Sequence, residues 1–317
     1  MDFSKKFNIG LTLDTDLKSF KSFLSEYHPY IHSFYFSPPG SRYYHTRSVI
    51  SYEFMLPGKR GQFFKMLELV SEYGIELELL FNTLCLNDDL IGRAAELMDK
   101  RGFDIASVCF MKKDYESVCK HFPNAKYIYS FNNGFQKRSE IDDVIDNYRA
   151  DTFVLGSLFI RNNSFFSYLA EKGKQTYLIL NNACSFNCET CNNTQSVCDV
   201  AFKNNLKKHS VEYLYALQSI FPYELHEGII DSRNIKCFKI SNRSSNLKFI
   251  RSALDSYIGG EVKKYVERDK KNYALWGRAG YFWKHFGDMD IDRILEYKKE
   301  ILSSRQGRIS EVSENGV

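Results

Sequence analysis

Short apolar runs recur along the chain, separated by stretches whose apolar residues return every three or four positions. Continuous or alternating hydrophobicity over four to eight residues marks strands, and the 3.6-residue period marks helices that turn one face to a core. Phe7 to Asp14 reads as a first strand, followed by an amphipathic helix from Leu17 to Tyr27. Ile31 to Pro38 reads as the second; a polar loop, Gly40 to Lys59, then leads to a helix ending at Gly74. Strands three to eight are read at Ile75 to Asn82, Ile105 to Phe110, Lys126 to Phe131, Thr152 to Leu158, Gln175 to Leu180 and Ile235 to Ile240. Helical patterns fill the intervals, and Gly102 stands where a glycine closes one of them.

Eight strands, each followed by a helical pattern, predict an α/β fold of the (β/α)8 TIM-like barrel type with a helical C-terminal extension. An open, doubly wound sheet is the alternative. The expected boundaries are 1–244 for the barrel, with a cysteine loop at 181–200, then 245–303 for the extension and 304–317 for a flexible polar tail. Chemistry in such barrels sits at the C-terminal ends of the strands. Those ends carry Asp14, Ser37, Asn82, Asn132 with Asn133, Arg161 with Asn162, Asn181 with Asn182, and Asn242 with Arg243. One asparagine in a turn needs no function, because its side chain mimics backbone there; several on one rim point to a polar site.

Composition narrows the class. Hydrophobic residues at 44% and aromatics at 15% of 317 residues supply a sizeable core and argue against disorder. A net charge of +4, from 43 basic and 39 acidic residues, does not by itself indicate a nucleic-acid partner. The mixed run Glu261 to Lys271 reads as a solvated helix face. MDFSKKFNIG holds no apolar signal region, and no window approaches about 18 apolar residues in a row, so neither export nor a membrane span is expected. Eight cysteines in that setting point to a reducing compartment, the cytoplasm, where thiols are free or bound to metal.

Four of the eight fall in one stretch, YLILNNACSFNCETCNNTQSVC, directly after the seventh strand: Cys184, Cys188, Cys191 and Cys198. Soft thiolates this close together suit an iron–sulfur cluster or zinc. Structural zinc sites favour two CxxC knuckles with a longer spacer, whereas only Cys188 and Cys191 form one here, so the tight, uneven spacing favours a 4Fe–4S cluster. Cys85, Cys109 and Cys119 sit in apolar or helical surroundings and read as small buried hydrophobes. Cys237 begins near the start of the eighth strand, toward the opposite end of a barrel, and is left out of the ligand set. Cys184, Cys188 and Cys191 also spell CxxxCxxC, as in radical S-adenosylmethionine enzymes, and Gly259-Gly260-Glu261 resembles that family's second motif. Against this, that family's cysteines follow the first strand, Thr190 replaces the usual aromatic, and the glycines lie in a helical stretch.

The strand running into a cysteine loop resembles the collagenase-like peptidase family of unassigned mechanism. So does FKISNR, Phe238 to Arg243, which is similar to that family's lysine-isoleucine-glutamate-glycine-arginine signature through Lys239, Ile240 and Arg243. Ser241 and Asn242 replace its glutamate and glycine. The resemblance spans roughly residues 5–258. It implies a barrel holding a four-cysteine 4Fe–4S cluster near its mouth, often beside a related partner subunit, with members acting in oxygen-independent ubiquinone or RNA-base hydroxylation. A peptidase is the name's alternative, but neither HEXXH nor GxSxG occurs, and His45 and His226 have no evident catalytic partner. The expectation is therefore an iron–sulfur enzyme or subunit that modifies a small molecule or base. Arg243 and Arg161 would anchor an anionic group and Asn182 would orient it; a non-catalytic cluster- or zinc-binding partner protein is the other reading.

Overall fold

The computed structural model describes residues 1–11, 15–38, 57–82, 86–130, 138–155, 159–181, 206–240, 247–276 and 289–312. Eight strands close into an all-parallel barrel in sequence order. They are β1 (Phe7–Gly10), β2 (Ile31–Phe36), β3 (Glu76–Phe81), β4 (Ser107–Phe110), β5 (Lys126–Tyr129), β6 (Thr152–Leu155), β7 (Gln175–Ile179) and β8 (Cys237–Ile240). The helices are α1 (Leu17–Tyr27), α2 (Pro57–Glu72), α3 (Asp88–Lys100), α4 (Tyr115–His121), α5 (Arg138–Asn147), α6 (Asn163–Glu171), α7 (Val211–Gln218), α8 (Pro222–His226), α9 (Leu247–Gly259), α10 (Val262–Trp276) and α11 (Ile291–Val312). The predicted barrel is thus present, and the doubly wound alternative is excluded by the β1–β8 ladder, which leaves no edge.

Period-two alternation sorts the strand side chains. Ile9, Phe34, Leu79, Val108, Tyr127, Phe153, Leu178 and Phe238 pack outward in one cluster with the helices. Their alternates Tyr35, Leu80, Cys109, Ile128, Val154, Tyr177, Ile179 and Cys237 form a second cluster, the barrel's filled interior. β1 contributes no apolar side chain to that cluster: its inward positions are Asn8 and Gly10, and at Gly10 a Cβ would stand 2.9 Å from the Tyr35 ring. Glycine lets that ring cross over β1, and the Tyr35 hydroxyl donates to the Ile240 carbonyl at 2.6 Å.

Local chemistry sets the helix ends. Asp16 caps α1, its carboxylate accepting from the Ser19 N–H at 2.8 Å, and Phe20, Phe23, Leu24 and Tyr27 fill the i, i+3, i+4, i+7 stripe toward the core. Gly74 and Gly102, at φ +63° and +70°, take the left-handed turn that stops their helices. Sequence reading carried β1, β2 and β5 two to four residues past the last ladder bond and began β4 and β8 two residues early, because the apolar run is longer than the paired segment. After α7 ends at Gln218 a second, short helix, α8, starts at Pro222, a residue suited to the first turn of a helix. The last helix continues to Val312, past the boundary at residue 303 read from composition.

Candidate functional site

Two residues beyond the inner cluster, the same alternation brings Ser37, Asn82, Met111, Ser130 and Asn181 to the barrel's C-terminal mouth. All are buried, from 1% exposure at Asn181 to 8% at Asn82. Four of the five are uncharged hydrogen-bonding side chains, and the Ser37 hydroxyl is buried with no hydrogen-bond partner among the described residues. Ser37, Asn82 and Asn181 are rim positions expected from the sequence. Asn181 forms a bridge with Ser219, and the Ile220 N–H donates to the Leu180 carbonyl at 2.8 Å, so the insert between β7 and β8 returns to the end of β7. Asn182, Cys184, Cys188, Cys191, Cys198 and Arg243 lie outside the described residues, as do Asp14, Asn132, Asn133, Asn242, His45 and Cys85. Among the described residues no group of three His, Cys, Asp or Glu is placed to hold a metal.

Arg161 is described, and its surroundings differ from the expectation that it anchors a substrate anion. It donates to both carboxylate oxygens of Glu224, 3.1 Å to Oε1, and to the Leu217 and Ser219 carbonyls at 2.7 Å each. With the guanidinium 3% exposed and the carboxylate fully buried, this arginine is engaged inside the protein. Lys298 of α11 reaches the same carboxylate at 2.9 Å, donates to the Ser219 carbonyl, and lies 4.3 Å from the centre of the Phe221 ring. Burial pushes the Glu224 carboxyl up, but Arg161, then Lys298, pull it down further, to about 2. Two cations therefore share one ionised carboxylate. Sequence reading missed this because Glu224 and Lys298 lie 63 and 137 positions beyond Arg161, on unrelated helices.

A second ionic group, also missed, lies inside the barrel. Lys239 donates to Glu78 Oε1 at 2.8 Å and to Asn8 Oδ1 at 2.7 Å, and its ammonium sits 3.8 Å from the centre of the Tyr35 ring. Asn8 in turn donates to Glu78 Oε2 at 2.8 Å and to the Ser33 hydroxyl at 2.6 Å. The ammonium's donors and both carboxylate oxygens are thus occupied below the Tyr35 ring, as a buried pair requires. A signal existed: Glu78 and Lys239 are charges at inward phases of otherwise apolar strands, IELELLF and CFKI. At the opposite end His32 faces Glu76 at 3.4 Å; burial lowers its pKa to about 4 against the opposing pull of that carboxylate.

Cys237 opens β8 and lies inside the barrel, where burial, then Glu78, raise its thiol far above the usual range. It is therefore a poor nucleophile at neutral pH. Cys109 is buried beside it in the inner cluster, and Cys119 packs half-buried against the outer one. His226 is exposed, with Nε2 2.7 Å from the Tyr257 carbonyl. Gly259 ends α9 and Gly260, at φ +76°, makes the turn into α10, so the GGE triplet is a helix–helix junction.

No protein-family model matches the chain, and no curated protein does. Solved structures similar to it include the U32 peptidase Mk0906, at 10% identity over 76% of this chain and 94% of that one, with a TM-score of 0.43. A dipeptide epimerase from Enterococcus faecalis V583, complexed with Mg and L-Leu-L-Tyr, matches at 9% identity over 75% of this chain and 55% of its own, with a TM-score of 0.39. L-Talarate dehydratase from Polaromonas sp. JS666 matches at 10% identity over 56% and 46%, with a TM-score of 0.38. The chain spans about half the length of these last two. The U32 peptidase is of the collagenase-like family whose motifs the sequence resembles. At such identities and scores these likenesses say nothing of chemistry, and the barrel rests on its own strand pairing.

Proposed function

We propose that this chain is an iron–sulfur barrel protein, an enzyme or enzyme subunit that modifies a small molecule or base without molecular oxygen. The observation that carries the reading is the spacing of Cys184, Cys188, Cys191 and Cys198, in a segment the chain enters from Asn181 at the end of β7. A donor set of four thiolates fits a 4Fe–4S cluster, with zinc as the competing occupant. When bound, the cluster supplies single-electron transfer. The chain's own part is to hold and orient the substrate. Ser37, Asn82, Ser130 and Asn181 offer uncharged donors and acceptors over an apolar floor of Leu80, Cys109, Ile128 and Ile179. Asn182 and Arg243 belong to the same proposal as orienting and anchoring groups; with Arg161 engaged by Glu224, the anchoring role rests on Arg243. A related partner subunit and a reducing, cytoplasmic setting belong to it as well.

Anaerobic purification followed by iron and sulfide analysis tests the reading. The outcome we expect is about four irons per chain with broad visible absorption, both lost in Cys188→Ala/Cys191→Ala. Zinc without iron removes the redox reading and leaves a zinc-binding barrel.

A further inference from the structure

A cleft of about 860 Å³ opens between α1 and α9, the helices that follow β1 and β8, and so on the C-terminal side of the barrel. Thr15, Asp16, Lys18, Ser19, Ser22, Leu247, Lys248 and Arg251 line it. Its charges are unequal. The single carboxylate among the described lining residues, Asp16, is committed: it accepts from the Ser19 N–H and hydroxyl at 2.8 Å each, and those bonds hold its pKa below the usual value. Arg251 shares its charge with Glu26 at 2.5 Å. Lys18 and Lys248 line the cleft from different helices, both exposed, and add two positive charges that no acid among its described lining residues balances.

We propose that this cleft binds the phosphoryl group of a small phosphorylated substrate whose reacting part lies at the barrel mouth. The volume suits a metabolite-sized ligand, and lysine ammonium groups with the Ser22 hydroxyl, which accepts from Arg251 and keeps its own O–H, match the many acceptor oxygens of a phosphate. Binding energy from such a non-reacting group holds the rest of the substrate in place. The cleft adds a second anion anchor to the one proposed at Arg243. The inference rests on the proposed function only in naming what that site acts on.

Titration of the full chain with inorganic pyrophosphate, followed by calorimetry at constant ionic strength, tests it. Wild type should bind saturably, and Lys18→Gln/Lys248→Gln should bind at least about tenfold more weakly with an unchanged far-ultraviolet spectrum, because both side chains are exposed. Equal binding by the double variant overturns the site, as does the lack of saturable binding by wild type. Citrate competing as well as pyrophosphate overturns the phosphoryl assignment. Metal analysis of the same sample reads the cluster proposal separately: pyrophosphate binding without iron leaves this inference standing, and iron without pyrophosphate binding removes it alone.

Discussion

Two buried ionic groups stand among the described residues, and they solve the cost of burial differently. Inside the barrel Lys239 meets Glu78 one to one, with Asn8 bonded to both and the Tyr35 ring above. Outside it, Glu224 takes both Arg161 and Lys298. Removing water from a charge costs several kcal/mol unless a partner replaces it. In the balanced pair each member is indispensable to the other. In the triad the carboxylate is indispensable, whereas either cation can leave and a neutral pair remains. That asymmetry is what the following measurements can break.

Glu224→Gln leaves two buried cations facing each other, and chemical denaturation should show a loss of about 3–5 kcal/mol. Lys239→Met strands Glu78 inside the barrel and should cost about 3–4 kcal/mol, whereas adding Glu78→Met should recover more than half of that loss. Lys298→Met should cost only about 1–2 kcal/mol, from lost packing and one hydrogen bond, since Arg161 still neutralises Glu224. A cost for Lys298→Met equal to that of Glu224→Gln would end the distinction between the two groups. The smallest effect concerns His32, whose folded pKa of about 4 lies below the ordinary 6.5. Above about pH 6.5 it is neutral folded or unfolded and adds no pH dependence; as pH falls toward 4 the unfolded chain takes up the proton first. Stability should therefore drop by about 1–2 kcal/mol between pH 6.5 and 4.5, and a flatter profile is expected for His32→Gln. An unchanged profile in that variant would assign the acid sensitivity to other groups.

What the sequence revealed follows the range of the forces involved. The barrel was legible because each strand and helix announces itself within a dozen residues, down to Leu17–Tyr27, where the amphipathic stripe and the Asp16 cap agree. The engagement of Arg161 was not legible because its position after β6 is local information, while its partners come from α8 and the C-terminal end of α7. No periodicity encodes a contact across 63 residues. Lys239 and Glu78 fall between these cases: their inward phase is written in the strands, their pairing only in the closed barrel. The cysteine spacing remains a statement of sequence chemistry.

Closure of the barrel also orders events in time. Lys239 reaches Asn8 across 231 positions, and the Tyr35 hydroxyl reaches the Ile240 carbonyl across 205. During synthesis at about 5–20 residues per second, β1 and β7 wait as open edges until β8 emerges. Until then Glu78 faces water rather than an ammonium, and the Tyr35 hydroxyl lacks its acceptor on β8. A nascent chain halted before Cys237 therefore presents an unpaired strand edge and an unneutralised carboxylate, the features by which quality-control machinery and aggregation alike distinguish an unfinished barrel from a finished one.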